Sequence, residues 1–247
     1  MLQQYQALAA KRDAGPADHY GLALANWKNG ANDIARSQLL QLMKNDPDRI
    51  LYRTTLAQVL QDSGQQNEAL ALYQDTLNLY PGDLVVGQYY AAALLLAGKA
   101  EQARDLAREM VRDEQGRTPA VYQLWAKAAS VSGPPWETNR ASAELYYLNG
   151  DVPLAVDQLE QALRHSDVSR YDQERIQARL GEFREIMAEL DHKFLNELPF
   201  FGPDRPPSSE NIAVTVAGEL QKRLAGNGVR VARVTAWESE NAAATYS

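Results

Sequence analysis

Leu22-Ala23-Leu24-Ala25-Asn26-Trp27-Lys28-Asn29-Gly30, followed by Ala35, Leu39 and Pro47, is the stretch from which the chain can be read outward. It returns 34 residues on as Leu56-Ala57, Gly64, Ala69, Tyr73 and Pro81. A third, less complete copy runs Tyr90-Ala91, Gly98, Ala103 and Ala107, with Gln115 at the proline position. Alanine at two fixed points lets helices approach closely, glycine turns the chain between them, and proline ends the second helix. The period therefore predicts antiparallel helix pairs. One pair cannot bury its apolar face alone, so neighbours stack into a solenoid with a concave groove. Such a groove is suited to holding a partner.

A 34-residue period with small residues at these points is similar to the tetratricopeptide (TPR) pattern. Residues 17–115 read as three helix pairs, with breaks near Asn29-Gly30, Asp46-Pro47, Ser63-Gly64, Pro81-Gly82 and Gly98. A fourth unit begins at Val121-Tyr122-Gln123-Leu124-Trp125-Ala126 and stops at Ser132-Gly133-Pro134-Pro135. Helical sequence resumes from Glu137 to Leu148, turns at Asn149-Gly150, and continues from Val152 to Arg164 with Ala155, Leu159 and Ala162 at repeat-like positions. The Gly98-to-Gly150 distance is not a multiple of 34, so the array is interrupted by an insertion or an extra helix. From Asp172 to Leu190, Ile176, Leu180, Phe183, Ile186 and Leu190 recur at three- and four-residue steps, predicting one buried stripe on a long helix. Past Leu190 come a proline-rich loop, a helix from about Glu210 to Leu224 capped by Ser208 or Ser209, and a strand at Thr235-Ala236-Trp237-Glu238. Ala242 to Tyr246 is its candidate hairpin partner.

At 247 residues and 45% apolar content the chain can build a core. With 25 basic against 32 acidic residues the net charge is -7, which argues against a nucleic-acid footprint. Zero cysteines exclude disulfides, thiolate catalysis and cysteine metal sites in this chain. No apolar run approaches the roughly 20 residues of a membrane-spanning helix. No secretion signal is visible at Met1-Leu2-Gln3-Gln4-Tyr5-Gln6, so the expected location is cytoplasmic, or periplasmic if an N-terminal part has been removed.

Residues 5–188 resemble the TPR region of bacterial periplasmic zinc metalloproteases, most closely at Asp18-His19-Tyr20-Gly21-Leu22-Ala23-Leu24-Ala25 and Asn139-Arg140-Ala141-Ser142-Ala143-Glu144-Leu145-Tyr146-Tyr147. The resemblance implies an array that follows a protease domain and helps dock outer-membrane assembly machinery. The protease chemistry itself needs two histidines one turn apart and a glutamate base. His19, His165 and His192 lie far apart and none begins an H-E-x-x-H motif.

Residues 188–247 resemble the C-terminal half of a 6-pyruvoyl- or 6-carboxytetrahydropterin synthase. The motifs are Leu190-Asp191-His192 with Leu195-Asn196; Pro207-Ser208-Ser209-Glu210-Asn211-Ile212-Ala213; and Trp237-Glu238-Ser239 with Ala244-Thr245-Tyr246. The resemblance implies that Asp191 and His192 form a proton relay and that Glu238 anchors a pterin ring. A carboxylate can accept two parallel N–H donors from an amino-pyrimidine edge, and an aspartate can hold a histidine in one tautomer for acid–base work. The other readings are a histidine partnering a helix dipole and a surface glutamate beside a strand tryptophan. In that family the first half supplies two strands, three zinc-binding histidines and a catalytic cysteine; here helical repeats stand in its place. Zinc acts there as a Lewis acid on the substrate; its ligands are missing from this sequence, so no cofactor is expected for this chain.

The fold expected is mainly α: a TPR-like α-solenoid with a short α+β tail, a partial tetrahydropterin-synthase fold. Its divisions are 1–168 for the array, 169–190 for a connecting helix and 191–247 for the pterin-synthase-like tail. Tyr122, Trp125, Tyr146 and Tyr147 are expected in the core, and the charges from Asp172 to Arg184 on a solvated helix face. Pro134-Pro135-Trp136 reads as a rigid turn in place of a docking epitope. The expected function is a protein-interaction scaffold that takes a protein or peptide partner in its groove, not an enzyme. The alternatives are a synthase-class lyase of queuosine or pterin formation, and a non-catalytic adaptor of a TPR-containing metalloprotease.

Overall fold

The computed structural model describes residues 2–188, 200–201, 204–206, 208–224, 230–239 and 242–246. By packing, the chain falls into two compact units, Met1–Met110 and Val111–Ser247.

The first unit holds α1 (Leu2–Ala9), α2 (Pro16–Lys28), α3 (Asn32–Asn45), α4 (Ile50–Asp62), α5 (Gln66–Leu79), α6 (Leu84–Leu96) and α7 (Ala100–Met110). Helices α2/α3, α4/α5 and α6/α7 pack as pairs; α3 packs on α4, α5 on α6, and α4 also meets α6. The turn within each pair has one chemistry. Gly30, Gly64 and Gly98 adopt φ of 79°, 77° and 72°, a left-handed backbone that glycine enters without a Cβ penalty. Beyond each glycine the next N–H returns to a carbonyl inside the preceding helix: Ala31 to Asn26 at 2.9 Å, Gln65 to Leu60 at 2.8 Å, Lys99 to Leu94 at 2.9 Å. These bonds satisfy carbonyls that a helix end would otherwise leave open. The repeat alanines lie where the sequence puts them, with Ala23, Ala57, Ala91, Ala35, Ala69 and Ala103 all buried. Leu39 and Tyr73 fill the equivalent large position of successive pairs, and both are fully buried.

The second unit begins with a single-turn helix at Glu114–Gly116, where the repeat has lost its proline. It continues through α8 (Pro119–Ser132), α9 (Pro135–Leu148), α10 (Val152–Leu163) and α11 (Arg170–Ala188). Prolines at the first position of α8 and α9 place a residue without an N–H where no intrahelical partner exists. Gly150, at φ 87°, rebuilds the same turn between α9 and α10, and the Asp151 N–H reaches Tyr146 O at 2.9 Å. Ala143, Ala155 and Leu159 stand at the offsets from Gly150 that Ala23, Ala35 and Leu39 hold from Gly30, and all three are fully buried. The pair α9/α10 is thus a repeat unit in its own phase, and α8 is the extra helix that breaks the 34-residue count. Ile176, Leu180 and Phe183 of α11 close this core as the stripe predicts, with the Phe183 ring stacked on Tyr147 at 4.5 Å; Ile186 is only partly buried, and Leu190 lies outside the described residues.

Helix α12 (Ser209–Leu224) follows, then β1 (Val234–Ser239) and β2 (Ala242–Tyr246) as an antiparallel hairpin. Ser208 is the cap, its Oγ accepting the Asn211 N–H at 3.3 Å. A two-stranded hairpin is marginal by itself in water. Here α12 packs against both strands, burying Ala213 and Ala217. Thr235 and Thr245 join across the strands at 3.0 Å. The architecture is a mainly α-helical solenoid-like arrangement followed by a small α+β tail.

Candidate functional site

In the second unit, three helices bring polar side chains to one cleft at helical spacing. Helix α8 supplies Tyr122 and Trp125, α9 supplies Arg140, Glu144 and Tyr147, and α11 supplies Arg175, Arg179 and Glu182. Steps of three and four residues place each set on one helix face. The cleft has a volume of about 470 Å³, and Arg117 and Arg223 also line it.

Arg179 is the organising residue. Its Nε and Nη2 donate to the two Glu144 oxygens at 2.9 and 2.8 Å, a bidentate fork, while Nη1 binds Glu182. Its guanidinium also lies 4.8 Å from the Tyr147 ring centroid and 4.4 Å from that of Phe183. Burial alone would depress the pKa of Arg179. The hydrogen bonds and charge of Glu144, then of Glu182, outweigh burial and raise it. This corrects the reading of 172–184 as a solvated face, since Arg179 is half-buried and ties α11 to α9.

Arg140 is held differently. It lies over the Trp125 ring at 5.5 Å, and its one ion pair among the described residues, to Asp172, is long at 3.7 Å. Burial, and then the like charge of Arg175, hold its pKa below the ordinary arginine value. Trp125 is in turn fixed by a buried hydrogen bond from its Nε1 to Glu137 Oε1 at 2.8 Å. Tyr122 stacks on Trp125 at 6.0 Å, and its phenol is pushed up to about 12, by burial first and then by Glu144. The aromatics expected in the core are largely there: Tyr122 and Trp125 are buried, while Tyr146 and Tyr147 are half-buried and pack on the core. Pro134 and Pro135 make the rigid entry to α9, and Trp136 packs on the same core. With several arginines, carboxylates gripped by one of them and the Tyr122 phenol held protonated by burial, this cleft is equipped to bind anions.

Asp191 and His192 lie outside the described residues. Glu238 lies in β1 at a register irregularity, between Trp237, opposite Ala243, and Ser239, opposite Ala242. A second cleft, about 760 Å³, lies between α12 and the hairpin and is lined by Val214, Gly218, Gln221, Lys222, Arg230 and Tyr246 among others. The residues present do not fit the zinc of the resembled synthases. The sequence has no cysteine and only three separated histidines, and no trio of His, Cys, Asp or Glu suited to a metal occurs among the described residues. No helix among those residues is long and apolar enough to cross a membrane.

The sequence reading missed the α8–α9–α11 cleft. The available signal was the shared i, i+4, i+7 spacing of 140/144/147 and 175/179/182. It points to two polar stripes on separate helices but not to their meeting.

Comparison with known proteins bears on both parts of the chain. Residues 157–247 match the family model of 6-pyruvoyl tetrahydropterin synthase, a match that begins within α10, upstream of the 188–247 resemblance read from the motifs. The comparison with curated proteins finds no match. Among solved structures, a MamA RS-1 double mutant is similar at TM-score 0.51 and 13% identity, over 72% of this chain and 97% of that one. MamA from Desulfovibrio magneticus RS-1, residues 41 to the end, is similar at TM-score 0.50 and 13% identity, over 71% and 97%. A thermophilic TPR protein of Thermus thermophilus aligns at TM-score 0.39 and 17% identity, over 74% and 89%. At 13% identity the likeness to the MamA structures shows the fold alone.

Proposed function

We propose that this chain is a helical-repeat interaction module that holds a segment of a partner protein, and that its C-terminal part is a pterin-synthase-like tail without the family's metal chemistry. The division at 168 and 190 into array, connecting helix and tail belongs to the same reading. One observation carries it. Leu51 of α4 and Val85 of α6, one repeat apart, are both about half exposed, and Tyr89 and Leu96 extend the apolar row along α6. Adjacent helices that repeat an exposed apolar side chain present a surface suited to another chain. The test is selection from a displayed random peptide library on the full chain, followed by affinity measurement in solution. Val85→Glu is expected to weaken the selected peptides by roughly tenfold or more, with unchanged far-UV circular dichroism. A library that yields no binder sinks the reading.

The match over residues 157–247 favours a second reading, a synthase-class lyase. In it, Asp191 and His192 relay a proton, Glu238 anchors the pterin, and another chain supplies the zinc ligands. Zinc content and turnover of dihydroneopterin triphosphate distinguish the two. Stoichiometric zinc with turnover that His192→Ala abolishes would establish the enzyme, and neither is expected.

A further inference from the structure

We infer that the arginine-lined cleft of α8, α9 and α11 binds an acidic peptide segment, one of whose carboxylates is taken between Arg140 and Arg175. The inference rests on the partner-binding reading and gives it a second surface and a ligand chemistry.

Charge balance is the first support. Five arginines line the cleft against two glutamates, in a chain whose net charge is -7. Both glutamates are engaged by Arg179. Among the described residues, Arg140 has only its 3.7 Å ion pair with Asp172. Arg175 and Arg117 have no carboxylate within ion-pair distance among the described residues: Arg175 lies over the Tyr171 ring at 5.5 Å, and Arg117 donates to Val111 O at 3.3 Å. Burial first, and then the like charge of Arg175, lower the Arg140 pKa. Two cations lining one cleft, one with a long ion pair and the other with none among the described residues, gain from an anion placed between them.

Preorganisation is the second. The Arg179–Glu144 fork locks α11 to α9, and the Glu137–Trp125 bond fixes the ring beneath Arg140. The cationic edges are therefore positioned before any ligand arrives, which lowers the ordering cost of binding. Planar guanidiniums match a carboxylate in bidentate geometry. The cleft, at about 470 Å³, has room for a few side chains of a segment but not for a folded domain. The negative charge of the whole chain disfavours a long polyanion such as nucleic acid.

The experiment is fluorescence anisotropy of a labelled tetraglutamate peptide titrated with the full chain, beside its tetraglutamine counterpart. Tetraglutamate is expected to bind at least tenfold more tightly, and to weaken as salt is raised. Arg175→Glu, at an exposed position, is expected to cost tenfold or more in tetraglutamate affinity. Arg170→Glu on the same helix, whose side chain is 92% exposed, should leave binding unchanged. Equal binding of the two peptides, or equal loss in both variants, would overturn the assignment. So would inorganic phosphate displacing the peptide at far lower concentration than free glutamate, which would reassign the cleft to phosphate-bearing ligands. Library-selected peptides that lose affinity with Val85→Glu but not with Arg175→Glu would leave the interaction reading standing and remove this cleft from it. Failure of every peptide to bind would remove both.

Discussion

Arg179 and Glu144 are 35 residues apart in the chain, yet they share two parallel hydrogen bonds. Nothing local marks Arg179 out from Arg175 one turn earlier, which is exposed. What separates them is the apolar stripe. Arg179 is next to Leu180 and over Phe183, at the edge of the face that turns inward. Its long stem can pack there only if its charge is met, and Glu144 meets it. Tyr122, at the base of the same cleft, yields a pH prediction. Its folded pKa of about 12 exceeds the ordinary 10.0, so above pH 10 the unfolded chain loses its phenolic proton first. The folded state then holds more protons than the unfolded one, and stability falls with rising pH. Folding stability measured by urea titration should be insensitive to Tyr122 below about pH 9. It should then fall by about 2 kcal/mol from this residue between pH 10 and 12. Tyr122→Phe should make that decline shallower, and an unchanged slope would refute the assignment. Tyr73, also buried and raised in pKa, adds to the same alkaline decline.

Helices α2 to α7 were legible because their determinants are local. Glycine at a left-handed turn, alanine where two helices touch and apolar side chains every three or four residues all fall within one 34-residue unit. Helix α8 escaped that count because it has no glycine-turn partner of its own; only the rebuilt turn at Gly150 shows where the repeat resumes. Helix α1 depends on one close approach. A Cβ on Gly21 of α2 would lie 2.3 Å from Tyr5 Cε1, so the Tyr5 ring occupies the space that glycine leaves open. Helix α1 buries no residue fully, so it is the element that gives way. Gly21→Ala is therefore expected to release α1, leaving α2 in place. Hydrogen exchange of the amides in residues 2–9 should speed up roughly tenfold or more, with little change elsewhere. Uniform acceleration through α2 and α3 would show that α1 is integral to the array.

The first compact unit comprises three glycine-turned pairs and α1, about the minimum number of repeats from which a continuous core can form. A fragment of residues 1–110 is expected to be strongly helical and to unfold cooperatively in urea. Removing α6 and α7 as well should broaden or abolish the transition, since each pair is stabilised chiefly by its neighbours. A non-cooperative 1–110 fragment would show that this unit cannot stand alone. The helix pairs, their turns, the α11 stripe, the capped α12 and the hairpin could all be read from residues close together in the chain, because periodicity and turn chemistry act over a few residues. The cleft could not. Tyr122, Arg140, Glu144, Arg175 and Arg179 come from three helices and span more than fifty residues, and which of their charges are paired depends on how those helices pack. Only the packed structure decides which arginine is neutralised and which is left to bind.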